Sequence, residues 1–296
     1  MRPWFQYGAA PMVNQSDVAF RLTAVQYGAT ATWTETWEGL VRALEIGRAA
    51  PENRDVVSGE PARQIVQLAG DDGVALAAAA RRLAPYADGF DVNLGCPQRR
   101  AQEGHYGGYL LGQRDWPLVE SITSALVHST PLPVSVKLRL CDYAADTPAL
   151  AVRLARAGAA VVTLHARHVA PNRRRANAAK LTYVYDVRTA LLDAGLHASQ
   201  PGGHCHVLSN GNVRGWADVV ANLGATHADG VMVGEPLLEQ PHLFAPSVQK
   251  KATALDALDT YLGLCEAYPH DSLPMQRVHQ HVHSTIPCAV RPTSRR

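Results

Sequence analysis

Cys96 is the side chain in this 296-residue sequence whose setting most suggests chemistry. It lies in Asn93-Leu94-Gly95-Cys96-Pro97, where Gly95 and Pro97 impose a turn at the end of an apolar run and present the thiol. Such a thiol could protonate a carbon, act as a nucleophile or bind metal. No cysteine or histidine stands at ligand spacing around it, which disfavours metal. Lys137 is the second such residue. It interrupts the apolar run Val134-Ser135-Val136-Lys137-Leu138-Arg139, and lysine is almost never fully buried without a partner. The anionic edge of a cofactor is one possible partner and a structural carboxylate another. His165 alone would pass for a core histidine; beside Lys137 it reads as a donor to a cofactor or substrate carbonyl. Two segments, Ser209-Asn210-Gly211-Asn212 before a helix starting near Arg214 and Gly234-Glu235-Pro236, place glycine where backbone N–H groups can meet a phosphate. The plainer alternative for the first is an ordinary Asn-Gly turn.

These residues need a frame that brings them to one place. Short β-branched runs over 8–12, 30–36, 64–69, 90–96, 134–140, 161–167, 206–212 and 230–235 read as strands. Helical patterns separate most of them, at 17–27, 74–86, 116–128, 149–157, 181–194 and 216–223. Eight strands with intervening helices predict a closed (β/α)₈, or TIM, barrel of the α/β class. No G-x-G-x-x-G follows the first strand, which argues against a dinucleotide-binding open sheet. Pro11-Met12, Glu35, Gln67, Asn93, Lys137, Arg139, His165, Arg167, Asn210 and Glu235 all fall toward the same ends of those strands. A barrel keeps its chemistry at the C-terminal ends of its strands, so the coincidence marks an active site. The barrel pattern stops near Gln240, which divides the chain into a catalytic barrel, 1–240, and an extension, 241–296. The extension is expected to hold a helix over 253–267 and then a loosely ordered Pro-, His- and Arg-rich tail.

Composition sets outer limits. Hydrophobic residues make up 47% and charged residues 18%, enough for a large core and unlike a disordered chain. No apolar run approaches a membrane span, and the N-terminus lacks the apolar stretch of a secretory signal. The five cysteines show no C-x-x-C spacing, so reduced thiols in the cytoplasm are expected, with a mitochondrial or nuclear setting also compatible. The net charge of +2 announces no nucleic-acid partner by itself. Basic residues are nevertheless clustered at Arg99-Arg100, Arg173-Arg174-Arg175 and Lys250-Lys251 and near the C-terminus. The His204-x-His206 and His279-x-His281-x-His283 tracts are too sparse to predict a metal site.

Five motifs occur in order: Ala10-Pro11-Met12-Val13, Asp91-Val92-Asn93-Leu94-Gly95-Cys96-Pro97-Gln98, Gly104-His105-Tyr106-Gly107, Val136-Lys137-Leu138-Arg139 and Ser209-Asn210-Gly211-Asn212. Together they resemble the tRNA-dihydrouridine synthases, over roughly 10–244, and most of all the eukaryotic-type subgroup acting at positions 16 and 17 of the D-loop. The resemblance implies FMN in the barrel mouth, reduced by NADPH, and tRNA as substrate. Carried onto this sequence, Pro11, Met12, Val13, Gln67, Lys137 and His165 would hold the flavin ring, and Asn210, Gly211, Asn212, Gly234 and Glu235 its phosphate. Hydride would pass from flavin N5 to uracil C6 while Cys96 delivers a proton to C5. Asn93 would contact the uracil, Arg139 or Arg167 its carbonyls or nearby phosphates, and Arg173, Arg174 and Arg175 the tRNA backbone. Asn14 stands where the family usually has Asp and Ala166 where Gly is common, and the region after the barrel is shorter and richer in Pro. Two other functions fit parts of the pattern: an FMN barrel acting on a free pyrimidine, as dihydroorotate dehydrogenases do, and a catalytically silent tRNA-binding barrel.

Overall fold

The structure, a computed structural model, describes residues 5–38, 56–57, 60–61, 63–170, 177–247, 252–268 and 275–290. Eight parallel strands form a ring: β1 (Tyr7–Ala9), β2 (Ala31–Trp33), β3 (Arg63–Ala69), β4 (Gly89–Leu94), β5 (Val134–Arg139), β6 (Val161–His165), β7 (His206–Asn210) and β8 (Gly230–Val233). Each pairs with the next in sequence, and β8 returns to β1 with Met232 opposite Gly8, so the ring has no free edge. All eight fall where the sequence places them. A short segment, Trp37–Glu38, adds to the upper end of β3 beside Leu68 and Ala69.

The two-residue period of a strand decides what each face carries. On β5, Val134, Val136 and Leu138 face outward into the layer of helices, while Ser135, Lys137 and Arg139 face the lumen. The lower lumen is filled by Phe5, Trp33, Ile65, Leu208 and Met232. The helices outside are α1 (Val18–Gln26), α2 (Gly73–Leu83), α3 (Trp116–Ser129), α4 (Thr147–Arg156), α5 (Thr182–Asp193) and α6 (Trp216–Thr226). Their starts are chemically marked. Asp17 accepts from Phe20 N–H at 2.9 Å and Asp72 from Val74 N–H at 2.8 Å, while α3 and α4 carry Pro in their first turn.

After β8 come α7 (Glu235–Glu239), α8 (Ala254–Ala267) and α9 (Met275–Val290). The last corrects the expected loose tail. Helix α9 folds onto the barrel because its inner face carries His281 and Thr285, which find partners there. His281 Nε2 lies 3.0 Å from Asp17 Oδ2 and its ring stacks on Phe20, while the Thr285 hydroxyl donates to Leu238 O at 3.0 Å. Arg173, Arg174 and Arg175 lie outside the described residues, as do Lys250, Lys251 and the terminal arginines. Among the described residues no helix is long and apolar enough to cross a membrane.

Candidate active site

A cavity of about 880 Å³ opens at the C-terminal ends of the strands. It is lined by Pro11, Met12, Val13, Gln67, Asn93, Cys96, Lys137, Arg139, His165, Arg167, Asn210, Gly211, Asn212, Gly234 and Glu235. Every candidate site residue within the described chain therefore meets at one place.

The Cys96 turn is fastened from three sides. Asn93 Oδ1 accepts the backbone N–H of Gly95 at 3.0 Å and of Cys96 at 2.9 Å. Arg139 Nε donates to Gly95 O at 2.9 Å, and Gly108 N–H to Cys96 O at 3.1 Å. Gly107 makes the last contact possible: its φ is +66°, and a Cβ there would lie 2.9 Å from Cys96 Cβ. Asn93 thus shapes the thiol's turn as well as lining the cavity, and Arg139 braces it from β5.

The cations are set by burial and by one another. Among the described residues no hydrogen-bond acceptor meets the Lys137 ammonium. Burial, then the Arg139 charge, lower its pKa to about 8, against an opposing pull from Asp91. The same causes, burial first and then Lys137, Arg139 and Arg167, hold His165 well below the usual imidazole range, so it is neutral. Arg167 Nη1 lies 2.8 Å from His165 Nε2. Because guanidinium can only donate, Nε2 must accept and the ring proton sits on Nδ1. A neutral donor beside a cation results.

At the β7 end, Gly211 has φ +125°, and a Cβ would stand 2.6 Å from Ala179 Cβ, so the close turn demands glycine. The Asn212 side chain is engaged with the backbone of Ala179, at 2.7 and 2.8 Å, and with Arg167 Nη2 at 3.2 Å. Any anion at this turn therefore meets the backbone of Gly211 and Asn212. The following helix begins at Trp216, where the helical pattern over 216–223 starts. Arg214, Thr36, Asn177 and, from α9, Gln280 also line the cavity and escaped the sequence reading. Asn177 sits in a loop without pattern, Thr36 lies at the end of the expected second strand and beyond its observed end at Trp33, and Gln280 belongs to the segment expected to be loose. Below the cavity lies Asp91, fully buried, which donors from Ser135 and Gln67 reach at 2.5 and 2.7 Å.

These features define a closed parallel barrel with a cofactor-sized, cation-lined cavity at its catalytic end. The dihydrouridine synthase family profile matches residues 8–286, and the chain belongs to that family. A tRNA-dihydrouridine(16/17) synthase of Schizosaccharomyces pombe is 30% identical over 88% of this chain and 61% of its own length. A rat tRNA-dihydrouridine(16/17) synthase-like protein is 30% identical over 92% and 58%. The chain thus spans about three-fifths of the length of these relatives. Among solved structures, a histamine dehydrogenase from Rhizobium sp. 4-9 superposes with a TM-score of 0.55 at 13% identity, covering 82% of this chain and 45% of that one. A lactate oxidase of Pediococcus acidilactici does so with a TM-score of 0.51 at 15% identity, covering 96% and 73%. Both share the barrel fold.

Proposed function

We propose that this protein reduces uridine to dihydrouridine in the D-loop of tRNA, at position 16 or 17, using FMN and NADPH. The observation that carries this reading is the Lys137 ammonium, without a hydrogen-bond acceptor, lining the same cavity as the Cys96 turn. FMN fits these residues. Lys137 would offer a cation to the anionic edge of its ring, and neutral His165 a ring N–H to a carbonyl. The backbone of Gly211 and Asn212 admits a phosphate, as do Gly234 and Glu235 at the end of the neighbouring strand. Gln67 turns its amide toward Asp91 and Asn93, at the cavity floor.

When bound, the flavin would supply a hydride to uracil C6. The chain supplies the rest. Cys96, on its fastened turn, would give a proton to C5. Asn93 and Arg139 keep that turn in place, and Arg167 fixes the His165 tautomer. A stacked tRNA base must leave its helix to enter the cavity, and arginines near the mouth would hold its phosphates.

The test offers the FMN-loaded protein and NADPH either tRNA lacking dihydrouridine or free uracil and orotate. Dihydrouridine in tRNA, mapped by mass spectrometry, is the expected product. Turnover with the free bases alone would overturn the reading in favour of a small-molecule pyrimidine reductase.

A further inference from the structure

Asp91 takes no part in the chemistry described so far, yet it sits at the end of a continuous polar chain inside the barrel. Its carboxylate is fully buried on β4, opposite Ser135 of β5 and Gln67 of β3. Ser135 Oγ donates to Oδ1 at 2.5 Å and Gln67 Nε2 to Oδ2 at 2.7 Å. With Nε2 so committed, Gln67 Oε1 faces the other way. It accepts from Thr36 Oγ1 at 2.5 Å and from Asn93 Nδ2 at 3.0 Å. Asn93 Oδ1 is then left to accept the N–H groups of Gly95 and Cys96. The amide orientations agree along the whole chain, between an acceptor at one end, the Asp91 carboxylate, and two obligate donors at the other, the Gly95 and Cys96 N–H groups. The chain starts at the one group that can only accept when ionised.

We infer that Asp91 is a positioning residue for both halves of the site: through Gln67 and Asn93 it fixes the turn that carries Cys96, and it supplies the buried negative charge that accompanies Lys137. This rests on the flavin reading for its second half and on the described geometry alone for its first. The groups facing Asp91 are Gln67 from β3, Trp33 from β2, and Ser135 and Lys137 from β5. Burial lifts the carboxyl to about 6 while Ser135, Gln67 and Lys137 hold it down, so it is ionised near neutrality. An Asn at 91 keeps an acceptor for Gln67 Nε2 but loses the charge that strengthens that bond, so the chain's hold on Asn93 and on the Cys96 turn loosens.

The test uses the full chain as wild type, Asp91→Asn, the swap Asp91→Asn with Gln67→Glu, and Ser135→Ala. The swap moves the negative charge one step along the chain and keeps a donor–acceptor match at each link. Two measurements need no tRNA: the rate at which iodoacetamide labels Cys96, read by peptide mass spectrometry, and the FMN dissociation constant from about pH 6 to about pH 9. Asp91→Asn should label Cys96 several-fold faster, and its FMN affinity should fall at a pH about one unit lower than in wild type, because Lys137 has lost its counter-charge. The swap should recover most of both. Ser135→Ala touches Asp91 but lies off the chain, and should leave the labelling rate near wild type. Unchanged labelling in Asp91→Asn, a swap no better than the single variant, or equal acceleration in Ser135→Ala would each overturn the inference. A wild type that reduces no tRNA would sink the proposed activity instead and leave the labelling result standing.

Discussion

A lysine held without an acceptor destabilises the barrel that contains it, and the sign of that effect is measurable. The Lys137 pKa is about 8 in the folded state against 10.5 for the free side chain. Between those values the unfolded chain binds more protons, so stability of the flavin-free protein should rise as pH goes from about 8 to about 10.5. Below pH 8 the full penalty is present. Lys137→Met should therefore stabilise flavin-free protein at pH 7 by about 1–2 kcal/mol, discounted for the lost partner of Asp91, while weakening FMN binding by about tenfold or more. Urea titrations with and without FMN check both; destabilisation in the absence of FMN would show that the attraction between Lys137 and Asp91 outweighs the cost of burying the ammonium. Cys96→Ala asks a different question. It removes a proton donor and leaves the flavin contacts intact, so FMN should remain bound while tRNA reduction falls by about 100-fold or more. Loss of flavin in that variant would place the thiol in the cofactor site instead.

At the level of elements, α9 is where chemistry and pattern part company. Strands and outer helices announce themselves by apolar periodicity, as Val134, Val136 and Leu138 do on β5. The inward face of α9 is instead made by His281 and Thr285, which a hydropathy pattern counts as surface. Only the fold reveals that Asp17, already capping α1 through Oδ1, has its second oxygen turned toward His281. Asp91 was hidden for a related reason. Its two-residue spacing from Asn93 puts both in the lumen, but nothing in the spelling shows that Gln67 links them. Cys96, Lys137 and His165 were legible because each is an exception within an apolar strand or at its end. The α9 contacts carry a prediction: His281 is the group that faces the second oxygen of buried Asp17, and its removal leaves that oxygen without a neighbour, so His281→Ala should cost about 1–3 kcal/mol. Phe20 and Tyr261 also lose a ring contact in that variant. A thermal midpoint within a degree or so of wild type would mean that α9 docks by other means.

Over the whole molecule, charge is arranged more tellingly than it is summed. A net charge of +2 gives little attraction for a polyanion, yet Lys137, Arg139, Arg167 and Arg214 all line one cavity, with Glu235 as its acidic member. Ala170 and Asn177, which bracket Arg173, Arg174 and Arg175 in sequence, line it too. Three further cations thus stand in sequence between two residues that line the mouth. Each phosphate neutralised contributes about 0.9 to the slope of log affinity against log salt. Replacing all three arginines with Ser should lower that slope by up to about 3 and weaken tRNA binding at low salt, with FMN content and NADPH oxidation unchanged. Binding measured across a series of salt concentrations separates the outcomes. A slope equal to that of wild type would show that these arginines neutralise no tRNA phosphate, and Lys137, Arg139, Arg167 and Arg214 would then have to orient the base without them.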